Sequence, residues 1–326
     1  MLSRRNLLSS AVGATALGLA PKAFAQAPAW PQKPVTIICP FAAGGNTDGI
    51  ARMAAQRMTE AYGMAFNVEN RPGAGGALAA DFVAKSPPDG YTLFIAALPV
   101  MAIVPAMSKV RYDSQKDFAP ISNIATNPFA LVISKDLPVK TVAEFVAYVK
   151  ARPDQLSYGS AGVGSLNHLS MALFLKRAGL QMAHVPYRGN APALADIVAG
   201  HVPAMFSNLS DALPQINGGS VRLLAVSSAE RSALAPDAPT VAEAGYPGFN
   251  VLTWNGLMAP AGTPIAIINK IADTMSAAIK DEPFRKQLSD YGVDPVAARP
   301  AEFAATLASD MVIWKEAVDI AGVKQQ

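Results

Sequence analysis

Short apolar runs alternate with segments of helical period through most of this chain. The first run, 33–39, is rich in β-branched residues and bounded by prolines, which is typical of a buried strand. Helical spacing follows a pair of glycines, and Asn46 or Thr47 can cap that helix. The same reasoning predicts strands at 65–69, 91–96, 129–134, 183–185, 202–207 and 221–227, and helices at 77–85 and from Thr141, Ser165, Ala191 and Asp211. This alternation predicts an α/β protein with mostly parallel sheets flanked by helices.

Two parts of the chain break the alternation. The segment 98–116 has no sustained period and is interpreted as a connection. A proline-marked stretch, 236–264, leads into three helical segments, of which the last starts at Pro300. We expect these helices to cross back onto the first α/β unit. Because about 300 residues are more than one hydrophobic core usually serves, the pattern predicts two lobes.

The N-terminus has the layout of a secretory signal peptide. Arg4 and Arg5 precede an uncharged, mostly apolar stretch, 7–20, and small residues follow before Gln26. A transmembrane helix would need about 20 apolar residues and different flanks. The paired arginines resemble a twin-arginine signal, and an ordinary secretory signal fits equally well. We therefore predict export, with removal of residues 1–25.

Removal of the signal changes the charge balance. The full chain has 27 basic and 24 acidic residues, and three of the basic ones lie in 1–25, so the mature chain carries 24 of each sign. A near-neutral surface without basic blocks argues against nucleic acid and against an anionic membrane surface as partners. The single cysteine, Cys39, excludes an internal disulfide and is predicted to be a buried apolar residue.

Three loops share one design, in which small residues lead from a strand into a helix. They are 40–48 (PFAAGGNTD), 71–77 (RPGAGGA) and 158–168 (YGSAGVGSLNH). A helix that starts at the carboxyl end of a parallel strand directs free N–H groups and its positive dipole end at one place, and glycine lets an anion approach. The first and last loops therefore favour an anion site. For 71–77 a tight turn is an equally good interpretation.

The loops do not have the pattern of a nucleotide site or of a catalytic site. A P-loop requires Lys and then Ser or Thr after its last glycine, which none of the three has. Ser160 and Ser165 lack the glycine spacing of a nucleophile elbow. His168, His184 and His201 are far apart without metal-type spacing, and His168 is interpreted as a neutral structural residue. We therefore predict no enzyme activity, no catalytic residues, no metal and no cofactor.

The sequence resembles one family over the whole mature chain. The similar segments include WPQKPVTIICPFAAGGNTD, NRPGAGGALAADFVAKSPPDGYTLF, YGSAGVGSLNHLSMALF and HVPYRGNAPALADIVAGHVPAMFSNLSDALPQI. The family is that of the solute receptors of tripartite tricarboxylate transporters, also called the Bug family. The resemblance implies the two-lobed type II fold of periplasmic binding proteins, with a ligand cleft between lobe 1 (26–126 and 228–326) and lobe 2 (127–227).

The resemblance also implies a ligand and the residues that bind it. The ligand would be a small carboxylate: a di- or tricarboxylic acid, an aromatic acid or an amino acid. Backbone groups, hydroxyls and bridging water would hold one carboxylate, and neither loop that holds it contains Lys or Arg. These contacts come from Phe41, Ala42, Gly44 and Thr47 in one loop and from Ser160, Ala161, Gly164 and Ser165 in the other. The far end of the ligand would meet Leu98, Asn127, Arg188, Asn208 and Asp211.

Three side chains near this far end have two interpretations each. Arg188 could pair with a second carboxylate of the ligand or be a solvated loop residue. Tyr187 could pack under the ligand or simply close its loop. Asp211 could cap its helix or receive an amine.

The expected partners are the carboxylate and the membrane subunits of a transporter, and the receptor is expected to be a monomer. Two alternatives remain open from the sequence. A receptor of the same fold could report its ligand to a membrane sensor kinase. An exported hydrolase could use the cleft if it had an activated nucleophile with a partnered base.

Overall fold

The computed structural model describes residues 30–323, so the predicted signal peptide lies outside the described part. The strands are β1 (Val35–Cys39), β2 (Phe66–Asn70), β3 (Thr92–Ala97), β4 (Phe118–Ser134), β5 (Ser157–Ser160), β6 (Ala183–Pro186), β7 (Ala204–Asn208), β8 (Val221–Val226), β9 (Leu252–Pro260) and β10 (Asp294–Ala298). The helices are α1 (Asn46–Tyr62), α2 (Ala77–Ala84), α3 (Val104–Met107), α4 (Val142–Lys150), α5 (Leu166–Ala178), α6 (Asn190–Val198), α7 (Leu209–Asn217), α8 (Ile265–Lys280), α9 (Glu282–Asp290) and α10 (Pro300–Ala321). Among these described helices, none has both the length and the apolar character that a bilayer crossing needs.

The strands form two sheets that share β4. The order is β2-β1-β3-β9-β4-β10 in the first sheet and β8-β4-β7-β5-β6 in the second. β1 is parallel to β2 and β3, and β5 is parallel to β6 and β7, as the strand–helix alternation predicts. Every pair that contains β4 or β9 is antiparallel. The two-lobed α/β class is confirmed. The sheets are mixed, because β4 and β9 each run antiparallel to the strands beside them.

A single buried serine holds the two passages between the sheets together. Residues 118–128 of β4 pair with β9, and residues 129–134 pair with β7 and β8. The chain returns after β8 through Ser227, which is 0% exposed. Its N–H donates to the carbonyl of Phe129 at 2.8 Å, and its hydroxyl accepts from the N–H of Phe129 at 2.7 Å and donates to the carbonyl of Val251. Ser227 therefore fixes the return passage beside β4.

Helix α10 packs across both lobes. It lies against β4 and against α5. Its Phe303 and Trp314 belong to the same apolar cluster as Phe174 of α5 and Phe206 of β7. The helix begins at Pro300, as predicted, and the apolar stripe of its sequence faces this cluster. The C-terminal helix α10 thus packs against both lobes through its own apolar face.

A buried carboxyl lies in the contact between α10 and β9. Gly256 of β9 has no room for a side chain, because a Cβ there would lie 2.5 Å from Cζ of Phe303. Beside it, Nε1 of Trp254 donates to Oδ2 of Asp310 at 2.7 Å. Burial raises the pKa of Asp310 to about 6, against the lowering effect of the Trp254 hydrogen bond. Asp310 therefore titrates close to neutral pH.

Several elements are not predicted by the sequence pattern. β9 lies within the proline-marked stretch, β10 follows α9 without alternation, and the first part of β4 contains Pro120 and Pro128. Prolines argue against a central strand, and here the pairing of β4 with β9 shifts register next to Pro120. The segment interpreted as a connection starts with a π-helical turn, Pro99–Ile103, that continues into α3. These elements depend on distant partners, which local periodicity does not reveal.

The substitution Asp310→Asn is expected to remove a pH-dependent loss of stability. The folded pKa of about 6 lies above the ordinary value of 3.8, so the native state binds this proton more tightly than the unfolded state. The free energy of unfolding should therefore fall as pH rises from about 4 to about 6 and stay level above that range. Asparagine keeps an acceptor for Trp254 Nε1, so the variant should be about 1–3 kcal/mol more stable near neutral pH. Urea unfolding of both proteins at several pH values measures this, and parallel pH curves would contradict it.

Candidate functional site

The first loop, residues 40–45, leads from β1 to an open helix end. Gly45 is the N-cap residue of α1, and its carbonyl accepts from the N–H of Gly49 at 3.0 Å. The N–H groups of the first helical turn have no partner within the helix and point out of its end. Gly44 has a φ of +87°, and a Cβ on it would meet no atom within 4 Å. The loop therefore borders open space at a helix N-terminus.

An internal carboxylate fixes the conformation of this loop. Oδ2 of Asp48 accepts from Nε of Arg52 and from the N–H of Gly44, both at 2.9 Å. Oδ1 accepts from Nη2 of Arg52 at 3.0 Å and from Nδ2 of Asn70 at 2.8 Å. The same Asn70 nitrogen donates to the carbonyl of Phe41 at 3.0 Å. The hydrogen bond from Arg52 is the main cause that lowers the pKa of Asp48 to about 2. Asp48 and Arg52 thus form an ion pair without net charge.

Thr47 is buried next to this ion pair, and its hydroxyl proton has no acceptor among residues 30–323. Its Oγ1 accepts from Nδ2 of Asn255, a residue of β9, at 2.9 Å. A hydroxyl that accepts one hydrogen bond can still donate its own proton. Thr47 can therefore donate to a bound anion while Asn255 holds its side chain in place.

The second loop, residues 161–165, leads from β5 into α5. Ser165 is the N-cap residue, and its Oγ accepts from the N–H of His168 at 3.3 Å and donates to the carbonyl of Gly162 at 2.7 Å. The N–H of Gly164 donates to Nδ1 of His168 at 3.1 Å. Gly162 and Gly164 have φ values of +130° and +76°, which residues with side chains rarely adopt. The side chains of Ser165 and His168, at the start of α5, therefore fix the backbone of the loop that precedes this helix.

Two stacked imidazoles lie behind the second loop. The rings of His168 and His184 have centroids 3.9 Å apart and planes within 5° of parallel, although the sequence places them far apart. Tyr158 stacks on His184 at 5.0 Å. Burial, with a smaller contribution from His184, lowers the pKa of His168 to about 4, and burial also lowers the pKa of His184. Burial thus favours the neutral form of both rings, and these contacts support the structural role predicted for His168.

Ser160 and His184 form a contact that could suggest a nucleophile and its base. Oγ of Ser160 lies 2.6 Å from Nε2 of His184. Ser160 is 0% exposed, however, and its hydroxyl also contacts the backbone N–H and carbonyl of Gly162 at 3.1 Å. Within residues 30–323, no carboxylate hydrogen-bonds to His184 and no cluster of His, Cys, Asp or Glu could hold a metal ion. The pair supports the loop and is not placed to attack a substrate.

Three of the residues predicted for the far end of the ligand lie near the start of α7. Nδ2 of Asn127 donates to Oγ of Ser210 at 2.7 Å, and Oδ1 of Asn127 is buried without a partner among the described residues. Asn208 is the N-cap residue of α7, so this helix starts before Asp211. Asp211 does not cap it, because its Oδ2 accepts from Nδ2 of Asn190 at 2.8 Å. Desolvation raises the pKa of Asp211.

The other three residues predicted for the far end form no hydrogen bond with these residues near α7 in the described chain. They are Leu98, Tyr187 and Arg188. Oη of Tyr187 donates to Oδ2 of Asp196 on α6 at 2.6 Å, which closes the loop after β6. Arg188 is exposed, and it makes no ion pair or hydrogen bond with any residue of the described chain. Leu98 is buried just before the π-helical turn.

The two lobes touch beside the loops. Met107 of α3 lies against the second loop, because a Cβ on Gly164 would be 2.5 Å from Cε of Met107. On the other side, a Cβ on Gly292 would be 2.7 Å from Cβ of Ser210. Both contacts join an element next to the first sheet to an element next to the second sheet. These two contacts therefore connect the lobes on either side of the loops.

Three residues that shape the first loop are not predicted from the sequence. Arg52 donates to Asp48, and Asn255 donates to Thr47. The Oη of Tyr291 donates to the carbonyl of Gly45 at 3.2 Å. Nothing in the sequence around Tyr291 connects it with a loop so distant along the chain. Gly49 gives the one indirect signal, since a glycine inside a helix is unfavourable and a Cβ there would collide with the Tyr291 hydroxyl.

The glycine loop at 71–77 packs into the protein. It contains a 3₁₀ turn, Ala74–Gly76, and Gly76 is buried. A Cβ on Gly76 would lie 2.5 Å from Cγ2 of Val100 and 3.0 Å from Cβ of Pro40. These contacts favour the tight-turn interpretation, with glycine required for close packing.

Comparison with known proteins identifies the family. Residues 50–322 match the model of the family described as "Tripartite tricarboxylate transporter family receptor". The chain belongs to this receptor family. The resemblance seen in the sequence is thereby confirmed, and the family consists of substrate-binding receptors rather than enzymes.

Solved structures of other receptors have the same fold. Rpa4515 of R. palustris, solved with adipate, is 36% identical at a TM-score of 0.75, over 91% of this chain and 99% of that chain. The periplasmic binding protein BugD is 33% identical at a TM-score of 0.71, over 91% of this chain and 100% of that one. MatC from Rhodopseudomonas palustris, with bound malate, is 35% identical at a TM-score of 0.70, over 88% and 99%. The similarity confirms the predicted kinship with Bug receptors.

The substitution Asp48→Asn is expected to destabilise the first loop. The pKa of Asp48 is lowered from 3.8 to about 2, so its charged form contributes stability above about pH 4 that is lost as pH falls toward about 2. Asparagine keeps the size but loses the ion pair with Arg52, and the free energy of unfolding should drop by about 1–3 kcal/mol at neutral pH. Chemical denaturation measures the difference, with the exposed Asp237→Asn as control. A difference that stays constant down to about pH 2 would contradict this account.

Proposed function

We propose that this chain is an exported receptor that binds a small organic carboxylate and delivers it to the membrane subunits of a tripartite tricarboxylate transporter. The observation that carries the proposal is the pair of helix N-termini, on α1 and α5, each preceded by a glycine loop without Lys or Arg. Such helix ends bind anions through N–H groups and the helix dipole. The adipate of Rpa4515 and the malate of MatC support a carboxylate as the anion.

The two loops would hold the carboxylate between them, but not every residue would donate. The contacts would come from Phe41, Ala42, Gly44, Thr47, Ser160, Ala161, Gly164 and Ser165. Because the N–H groups of Gly44 and Gly164 already donate to Asp48 and His168, these glycines would provide space and backbone shape. The donors for the ligand would be the Thr47 hydroxyl and the remaining N–H groups of the two first helical turns.

The far end of the ligand would select among carboxylates. It would meet Leu98, Asn127, Tyr187, Arg188, Asn208 and Asp211. Within the described chain, the unpaired Oδ1 of buried Asn127 is an acceptor that requires a donor, such as a hydroxyl or an ammonium group. Arg188 is exposed, so a contact with a second carboxylate would be screened by solvent.

The lobes would close on the ligand by rotation about the two passages between the sheets. We propose lobe 1 at 26–126 and 228–326 and lobe 2 at 127–227, with β4 and Ser227 at the boundary. We further propose that residues 1–25 are removed on export to the periplasm, that the mature receptor is monomeric, and that it carries out no catalysis.

The test compares each acid with its amide. Thermal-shift screening of di- and tricarboxylates, aromatic acids and amino acids should reveal a ligand, since saturation at about 100 times Kd adds roughly 2.7 kcal/mol of stability. Calorimetry should then show one acid per receptor and at least about tenfold weaker binding of the corresponding amide, because the helix ends favour the charge. An amide that binds as tightly as its acid would show that the loops are not an anion site.

The substitution Thr47→Val should weaken binding of that acid by about 1–2 kcal/mol, the contribution of one charge-assisted hydrogen bond. Thr47→Ser is the matched control, because serine keeps the hydroxyl that Asn255 holds and should bind the acid nearly as well as the native chain. Calorimetry gives both affinities, and circular dichroism checks that the valine variant is folded. Equal affinities of the two variants would exclude the Thr47 hydroxyl as a ligand contact.

A further inference from the structure

A cavity of about 820 Å³, widely open to solvent, lies behind the second loop, between α5, β6 and the end of α10. Much of its lining is apolar, with Leu175 on α5, Leu180 and Met182 between α5 and β6, and Ile320 on α10. The volume is in the range of sites for drug-sized molecules, roughly 300–1,000 Å³. The residues proposed to bind the carboxylate do not line it. The cavity is therefore distinct from the proposed carboxylate site.

Buried polar groups line this cavity without protein partners. Tyr158 and His168 are 4% and 5% exposed, and both belong to its wall. Because Nδ1 of His168 accepts from the N–H of Gly164, its neutral ring carries the proton on Nε2. Among residues 30–323, neither this Nε2–H nor the Oη of Tyr158 has a hydrogen-bond partner, and neither atom is sealed from solvent. Water in the cavity can satisfy both atoms, and a ligand with an acceptor group would replace that water at the His168 donor.

The charge of the lining is balanced. Lys176 and Asp154, both exposed, are its charged residues, and burial lowers the pKa of His168 to about 4 and also lowers the pKa of His184. A strongly charged ligand is therefore not favoured. The apolar wall and the His168 donor together favour a flat apolar body with one acceptor group.

We propose that this cavity is a second ligand site, which takes a small molecule with a flat apolar body and one oxygen acceptor directed at the Nε2–H of His168. The site is connected with the second loop, since the same two imidazoles contact Gly164 and Ser160 through their other nitrogens. Its wall also includes Ile320 at the end of α10, the helix that packs across both lobes.

Calorimetric titration with 6-propionyl-2-(dimethylamino)naphthalene tests the proposal, because this uncharged probe has a flat apolar body and one carbonyl oxygen as acceptor. We expect saturable binding of one probe per chain. Ala183→Trp places an indole at an exposed strand position in the wall of the cavity and should raise Kd by about tenfold or more. Ala304→Trp, at an exposed position of α10 outside the wall, is the matched control and should bind as the native chain does.

A second variant and a second readout protect the test against a folding defect. Gln181→Trp fills the cavity from the segment between α5 and β6, and should have the same effect as Ala183→Trp. In the native chain, the probe should also shift the imidazole ¹⁵N resonance of His168 Nε2. Absence of saturable binding, or equal affinity in the native chain and in folded cavity-filling variants, would overturn the proposal.

Discussion

The arrangement of the lobes depends on β4, which hydrogen-bonds in both sheets. Its first residues pair with β9 and β10, and its last residues pair with β7 and β8. The return passage is tied to it through Ser227. Because the strand is buried over most of its length, it cannot bend without loss of hydrogen bonds and packing. The proposed closure of the lobes would therefore depend on the short boundary within β4 and on the return passage.

The two glycine loops are held in the same way by different side chains. In each, a glycine N–H donates to the side chain four residues later, in the first turn of the following helix: Gly44 to Asp48 and Gly164 to His168. Arg52 cancels the charge of Asp48, and burial keeps His168 neutral. Neither loop therefore places an uncompensated charge beside its helix N-terminus. For the proposed carboxylate site, donors held in place in this way would lower the entropy that binding costs.

Much of the fold could be predicted from local pattern. All helices except α3 and all parallel strands except β5 were predicted within a few residues, because periodicity and capping signals lie within one element. Of the antiparallel strands, β8 and the second part of β4 were predicted, and the others were not. β9, β10 and the first part of β4 contain or border prolines and lack alternation, and they are strands because they pair with partners distant in sequence. Likewise, Asp211 was a plausible cap, yet Asn190 from another helix binds it.

The sequence by itself determined the α/β class, the family, and the position of two glycine loops at helix starts, since these depend on residues close together in the chain. The tertiary structure decided which distant side chains contact these loops. Tyr291 reaches Gly45, Asn255 holds Thr47, and His184 stacks on His168 only because packing brings distant segments together. The cavity behind the second loop has the same origin, with walls from α5, β6 and α10. Such contacts follow from the packing of whole elements, and local sequence pattern carries no record of them.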